Sequence, residues 1–409
     1  MLPSATDVLI VGAGPTGLAL AITLQRAGAD HLLIDKLPAG QNTSRAAVIH
    51  AHTLEILDEL GVSTRLVDEG LKLAKFSIRD RDSTLVRLRF NDLTTPHPYL
   101  LMLPQDTTER VLADRLVALG GAIHRGVTAT NLRQDATGVH VSLISDAGPS
   151  SIAARYVVGA DGMHSMVRAA AGTEFSGAAY EESFVLADVS MSWPHGRDEV
   201  MLFFSPAGMV VVAPLPNGRF RIVATLEAAP EHPDAADIQA LIDSRGPTTP
   251  RATVGEVAWS SRFRIHHRLA NSYRNGRLLL MGDAAHVHSP AGGQGMNTGL
   301  VDACVLGQLL VAVVTGEEPD STLNRYQSLR RPAAAQVLRL AGRLTGLATM
   351  RHPAKRWIRN LILSVINHLP AMQRRLAMNL SGLSRRRYAQ LSGDRCLTST
   401  REHKTSAYP

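Results

Sequence analysis

The sequence predicts an α/β protein with three parts: a parallel-sheet domain, an antiparallel β-sheet domain inserted into it, and a C-terminal helical segment. Three observations lead there. The run Asp7-Val-Leu-Ile-Val-Gly-Ala-Gly-Pro-Thr-Gly17 reads as a short buried strand, a G-x-G-x-x-G turn and the start of a helix, a Rossmann-like opening. Residues 182–265 change character to apolar-rich strands separated by Pro and Gly turns, which is the pattern of a meandering antiparallel sheet. Beyond Pro332 the periodicity is helical.

In the opening turn Gly12 permits the sharp bend, Gly14 lets backbone approach a pyrophosphate, and Gly17 lets the helix lie close to the strand. The helix start at Pro15 and Thr16 offers unpaired N–H groups and a positive dipole end. Asp35 ends the next strand, eighteen residues after Gly17, where an acidic side chain meets ribose hydroxyls. Together these predict a dinucleotide site.

Leu54, Leu57 and Leu60 then form one helical stripe stopped by Gly61. Residues 72–90 read as strands, Thr94–Tyr99 as a loop, and residues 107–119 as a helix opened by Asp106 with Glu109 at capping-box spacing. Strands follow at Val139–Ile144 and Tyr156–Gly162, then at Phe184–Val189, Val200–Phe204, Met209–Ala213 and Phe220–Thr225. The α/β pattern returns with a strand at Arg277–Asp283 and a helix at Asn297–Val314. Two stripes close the chain. Val337, Leu340, Ala341 and Leu344 form the first; Ile358, Leu361, Ile362, Val365, Ile366 and Leu369 form the second, with Pro370 as a break. The expected division is therefore a discontinuous nucleotide domain (1–75, 101–172 and 266–330), a β-sheet substrate domain (76–100 and 173–265), C-terminal helices (331–391) and a disordered tail (392–409).

Composition narrows the class. At 409 residues, 45% apolar and a mean hydropathy near zero, the chain reads as a multidomain globular protein of the cytoplasm. The N-terminal apolar run leads into glycines and is expected to be a strand rather than a signal peptide, no run of about eighteen uninterrupted apolar residues suggests a membrane span, and Cys304 and Cys396 form no C-x-x-C pair. Residues 331–409 hold fifteen Lys and Arg against Asp394 and Glu402, a net +13; the whole chain is +7, so the rest carries −6. The basicity belongs to the tail, which argues against nucleic acid as a partner.

Three segments in this order resemble the single-component FAD-dependent aromatic hydroxylases, the para-hydroxybenzoate hydroxylase-like family of class A flavoprotein monooxygenases. They are the glycine turn with Asp35, Val158-Gly-Ala-Asp-Gly-Met-His-Ser-Met-Val-Arg168, and Leu280-Met-Gly-Asp-Ala-Ala-His-Val-His-Ser-Pro-Ala-Gly-Gly-Gln-Gly-Met-Asn297. The resemblance spans about residues 5–345 and implies a glutathione-reductase-type FAD domain. It also implies that Gly12, Gly14, Pro15, Thr16, Gly17, Asp35 and Lys36 bind the ADP half of FAD, and that Asp161 and Gly162 help hold the pyrophosphate region. Asp283 would bind the ribityl chain, while Pro290, Gly292, Gly293, Gly295, Met296 and Asn297 would run beside the isoalloxazine. Arg45 and Gln105 match positions that touch FAD, and Arg110 lies in the same motif. The chemistry implied is reduction of the flavin by transient NADPH or NADH, addition of O₂ to give a C4a-hydroperoxide, and hydroxylation of an aromatic or polycyclic, polyketide-like small molecule of secondary metabolism.

Alternatives stand beside this. A flavin-dependent epoxidase or another FAD oxidoreductase would carry the same motifs, and so would a non-catalytic flavin-fold binding protein. His50, His52, His97 and Tyr99 are candidates for substrate contact or proton relay, with His52 standing where relatives often have Arg. His286 and His288 suggest no metal site and are expected to bond loop backbone; Ser165 and Ser289 lie in no G-x-S-x-G elbow. The basic helices are expected to pack on the body with Arg on the wet face, a weak membrane-surface contact being the second reading, and the protein is expected to be a monomer or homodimer. The tail is expected to be too short for the thioredoxin-like domain of larger relatives.

Overall fold

The structure is a computed structural model that describes residues 2–40, 46–226, 230–290, 292–348, 350 and 352–391. Arg45, Cys396 and the expected disordered tail 392–409 lie outside the described residues.

The strand Ala5–Val11 forms because Val8, Leu9 and Ile10 are apolar on both faces, and a strand buried on both faces belongs inside a parallel sheet. It lies between the parallel strands Gly148–Gly159 and His31–Asp35, with Val11 opposite Gly159 on one side and Ile34 on the other. Leu278–Leu280 extends the sheet beyond Gly148–Gly159, and His124–Arg125 extends it beyond His31–Asp35. Helix Pro15–Arg26 makes the first crossover and buries Leu18, Leu20, Ile22 and Leu24. Each such side chain contributes about 1.5–3 kcal/mol on burial. The helix Gly295–Val314 packs alongside it, at Gly307, where a Cβ would come within 2.6 Å of Thr23. This helix is long and apolar enough to cross a membrane, yet most of it is buried inside the fold.

The second sheet runs, in spatial order, His286–Val287, Thr253–Ala270, Phe175–Ser192, Phe220–Leu226, Gly208–Pro214, Glu199–Ser205, Lys75–Asp80 and Ser83–Arg89. It is antiparallel except at one joint. Glu199–Ser205 pairs parallel with Lys75–Asp80, whereas the strands of residues 182–265 pair antiparallel with one another as expected. The reason is connectivity: a strand supplied from over a hundred residues earlier is free to enter in either direction, whereas hairpin neighbours are not. The helix Ala235–Arg245, closed by a reciprocal Asp234–Asp237 capping box, covers one face and has no counterpart in the sequence reading. A small third sheet joins Val48–Ile49, Leu100–Met102 and Leu71–Leu73.

Two helix boundaries differ from expectation. The helix read as 107–119 is Gln105–Ala118, and Asp106 does not cap it; Pro104, with φ −58°, stands at the N-cap, and Glu109 accepts from the Gln105 carboxamide instead. The later helix starts at Gly295, two residues before Asn297.

The C-terminal segment forms helices at Asn324–Ala348, Pro353–Asn367 and Pro370–Leu380. Val337 and Ala341 of the first stripe are buried as expected. The second stripe is a correction: Ile358, Leu361, Ile362, Val365 and Leu369 face solvent, while Arg359 of the same helix is buried. Periodicity fixes that a helix has an apolar face but not which way it turns.

Candidate functional site

A cavity of about 830 Å³ lies where the two large sheets meet. Its polar end is built on the glycine turn. Gly12, at φ +107°, would place a Cβ 2.4 Å from the Ala160 carbonyl, and Gly17 would place one 1.9 Å from the Gly12 carbonyl, so strand, turn and helix close on each other only as glycines. Gly14 is different. A Cβ there meets nothing within 4 Å, so protein packing does not require glycine; the space opens into the cavity.

Asp35 lines the cavity and braces the same turn, accepting from Ala13 N at 2.6 Å and Leu37 N at 2.8 Å. A carboxylate has about four lone-pair directions, so acceptor capacity remains for a sugar hydroxyl. Asp161 accepts from Met166 N and Val167 N through Oδ2, while its buried Oδ1 has no partner among the described residues. Burial pushes this carboxyl above its ordinary range, the state expected of a group that waits for a donor. Pro15, Thr16, Lys36, Gln105 and Gly162 line the same end. Asp283 also faces the cavity, from a tight turn at Gly282–Ala284, and it is exposed rather than buried.

The middle of the cavity is walled by Pro290, Gly292, Gly293, Gly295 and Met296, the last two at the N-terminus of Gly295–Val314. Asn297 holds this wall from behind: its carboxamide accepts from His50 N and donates to the Val48 and Gly293 carbonyls, each at 2.8 Å. It is buried and does not line the cavity, nor does Gly17.

His50 lines the cavity beside that loop. Both hydrogens of the Gln294 carboxamide go to carbonyls, Gly292 at 3.1 Å and Leu380 at 2.8 Å, so His50 donates Nε2–H to Gly292 O at 2.9 Å. Nδ1 is left without a partner among the described residues. Burial lowers the imidazole to about 4, so it is neutral at physiological pH and a weak base. Arg385, from the last described turn, donates to Gln294 Oε1 at 2.6 Å and ties the C-terminal segment to this wall.

The far end is apolar: Phe76, Met102, Leu202, Met209, Val211 and Phe263. Among the described lining residues of that sheet the charged one is Arg221, which is committed to a two-bond pairing with Asp188 at 2.7 Å and to the Ala46 carbonyl.

Several sequence candidates are not brought here. His97 sits 2.7 Å from Asp58 and 3.0 Å from the Tyr99 hydroxyl, outside the cavity, so the relay reading of His97 is corrected: its partners are on the outer side of helix Ala51–Leu60. Arg110 pairs with Glu69 on the surface. His52 donates its N–H to Ser381 O, and its ring contacts Glu55. His288 bonds the Ser289 carbonyl, whereas His286 bonds a carboxylate and not loop backbone.

That carboxylate is Asp302, which sequence reasoning missed. It is fully buried and accepts from His286 Nε2 (2.6 Å), Arg330 Nε (2.7 Å) and the N–H of Gly282 (3.2 Å). Burial alone would raise it; Arg330 and His286 outweigh burial and hold it low. The available signal was a lone acid midway along an apolar helix, since a buried acid must have partners. Among the described residues no three His, Cys, Asp or Glu side chains gather as a metal site.

Comparison with known proteins gives a consistent result. A family model described as FAD binding domain matches residues 5–341. The chain is 37% identical over 398 residues to 12-dehydrotetracycline 5-monooxygenase/anhydrotetracycline 6-monooxygenase of Streptomyces rimosus, covering 92% of this chain and 76% of that protein. It is 34% identical to pentachlorophenol 4-monooxygenase of Sphingobium chlorophenolicum, over 81% of this chain and 63% of that one. Among solved structures, anhydrotetracycline hydroxylase OxyS from Streptomyces rimosus superposes with a TM-score of 0.78 at 35% identity, over 93% of this chain and 76% of that chain. The p-nitrophenol 4-monooxygenase PnpA from Pseudomonas putida superposes at 0.85 with 24% identity, over 93% of this chain and 99% of that one, a likeness of fold.

Proposed function

The chain belongs to the FAD-binding family of flavin-dependent aromatic monooxygenases, and from that premise we propose that its substrate is a largely apolar, fused-ring aromatic compound. The observation that carries this is the single cavity with two unlike ends, a glycine-lined polar end and an apolar end, meeting at the Pro290–Met296 wall. An apolar wall whose lining Arg221 is already paired favours a broad hydrophobic substrate over a small charged acid. The tetracycline monooxygenases among its relatives support the same reading.

The donor set suits FAD. The open space at Gly14, the helix N-terminus at Pro15 and the lone Asp161 Oδ1 suit a pyrophosphate and its neighbouring hydroxyls. In this reading Gly12, Gly14, Thr16, Asp35 and Lys36 hold the ADP half, Asp161 and Gly162 the pyrophosphate region, and Asp283 the ribityl chain. Gly292, Gly293, Gly295 and Met296 present backbone to the ring system. FAD held there would supply the redox chemistry, a two-electron reduction by nicotinamide and the transfer of one oxygen atom of O₂ to an aromatic carbon with the other released as water.

The chain's own part is to orient and to exclude water. Neutral His50 is a poor base at pH 7, so we assign it to fastening the Gly292 carbonyl and not to proton transfer. Phe76, Met102, Val211 and Phe263 keep the substrate end dry, which preserves the reactive oxygen for the substrate. We assign the enzyme to the cytoplasm, where reduced nicotinamide is supplied.

The test is the purified protein's flavin spectrum, followed by NAD(P)H oxidation with fused-ring phenols and product analysis under ¹⁸O₂. Labelled hydroxylated product is expected. NAD(P)H oxidation without label in any product would favour an oxidoreductase that inserts no oxygen, and labelled epoxide would favour an epoxidase.

A further inference from the structure

The helix Pro353–Asn367 is turned inside out relative to a helix of a water-soluble body. Its inward face is partly polar. Arg359 is buried, donates to the Leu347 carbonyl at 2.8 Å and lies 4.6 Å over the Phe204 ring. Asn360 donates to Asp80 at 2.7 Å, and Asn367 accepts from Arg87 N at 2.9 Å. These ties fix the helix against the strands Lys75–Asp80 and Ser83–Arg89. Its outward face is apolar: Trp357, Ile358, Leu361, Ile362 and Val365 are each between 50% and 67% exposed. Leu369 and Met372 carry the face onto the next helix, Pro370–Leu380. Most of the exposed large apolar side chains of the described residues are therefore on this one surface, and a contiguous patch of that kind marks an interaction site.

The charge of the surroundings chooses the occupant. From residue 321 to residue 393 the chain has fourteen Arg and Lys and no Asp or Glu. Lys355 stands at one end of the apolar face and Arg374 and Arg375 at the other, all three exposed. A second copy docked on the same patch would set these cations against their own equivalents, with no acid from the segment to answer them. An anionic lipid surface answers them. Apolar residues with a Trp on one face, cations at the flanks and a helix held flat on the body are the features of a helix lying in a bilayer interface.

We propose that the helix pair Pro353–Leu380 is a membrane-surface anchor, seating Trp357, Ile362 and Leu369 in the acyl boundary of an anionic bilayer while Lys355, Arg374 and Arg375 contact its headgroups. The enzyme is then peripheral, with its body in the aqueous phase.

The test uses the FAD-loaded full chain and two vesicle compositions, phosphatidylcholine alone and phosphatidylcholine mixed equally with phosphatidylglycerol. Co-flotation with the anionic vesicles is expected, together with a blue shift of Trp emission, and little with the neutral ones. Trp357→Phe should keep the flotation and lose the shift, which assigns the signal to that side chain. The double variant Trp357→Glu/Ile362→Glu should lose flotation while its flavin spectrum and melting temperature stay near wild type, since both side chains are exposed. Replacing Lys355, Arg374 and Arg375 with Gln should weaken binding roughly 100-fold. Equal binding to both vesicle types, or none to either, would overturn the proposal. So would a dimer in sedimentation velocity that Ile362→Glu splits while anionic vesicles leave the wild-type chain unbound. No turnover is read, so failure here is distinct from failure of the oxygenase reading.

Discussion

Gly14 and His50 show how much a single position carries. Because a Cβ at Gly14 meets no protein atom, Gly14→Val should fold normally and lose cofactor. Overpacking against a bound pyrophosphate costs about 1–3 kcal/mol, roughly 5- to 150-fold in Kd. Fluorescence titration of the apoprotein with FAD reads it, and wild-type affinity would contradict the role. Asp283→Ala should weaken FAD by a similar factor, since hydrogen bonds to a charged group are worth about 1.5–3 kcal/mol. For His50 the signature is in pH. Its folded value of about 4 lies below the ordinary 6.5, so the unfolded chain binds the extra proton between those limits. Stability is full above about 6.5 and falls as pH drops towards 4. His288 behaves in the same way. His50→Gln should make the fall in that window shallower by roughly 3 kcal/mol in chemical denaturation series. The glycine turn was legible because its chemistry is local: bend, approach and dipole are all written within eleven residues. His50 was visible only as a candidate, since its partner Gly292 lies 242 residues away.

At the scale of elements, the buried Asp302 joins three of them: the turn at Gly282, the strand His286–Val287 and the helix carrying Arg330. Removing one partner of such a set leaves uncompensated buried charge, so Asp302→Ala should cost about 3–5 kcal/mol. Asp302→Asn should cost less, because it keeps an acceptor for Gly282 N–H. Denaturant unfolding of the two variants checks the order. The strands and helices themselves were largely readable from periodicity, and their misreadings are instructive. Asp106 and Glu109 had capping-box spacing, but Pro104 sets the helix start two residues earlier. The stripe at Ile358–Leu369 announced a helix correctly and its direction wrongly, because Arg359 finds Phe204 and the Leu347 carbonyl on the inside, partners that no local pattern reveals.

At the scale of the whole molecule, the cavity is shared between two sheets, so loading of the cofactor and response to substrate should separate. Val211→Arg puts a charge into the apolar end, far along the chain from the glycine turn. It should leave flavin content intact and abolish substrate-stimulated NAD(P)H oxidation; loss of flavin together with the response would contradict the division.

The contact of Arg385 with Gln294, and of Arg330 with Asp302, has a consequence for how the protein is made. The loop that walls the cavity is fastened by Arg385, from the last described turn. A ribosome that has delivered the glycine turn, both sheets and even the loop itself has still not delivered its clasp. Firm retention of flavin should then wait on Arg385, and a chain clipped after Ala348 should release yellow colour before it loses its sheets.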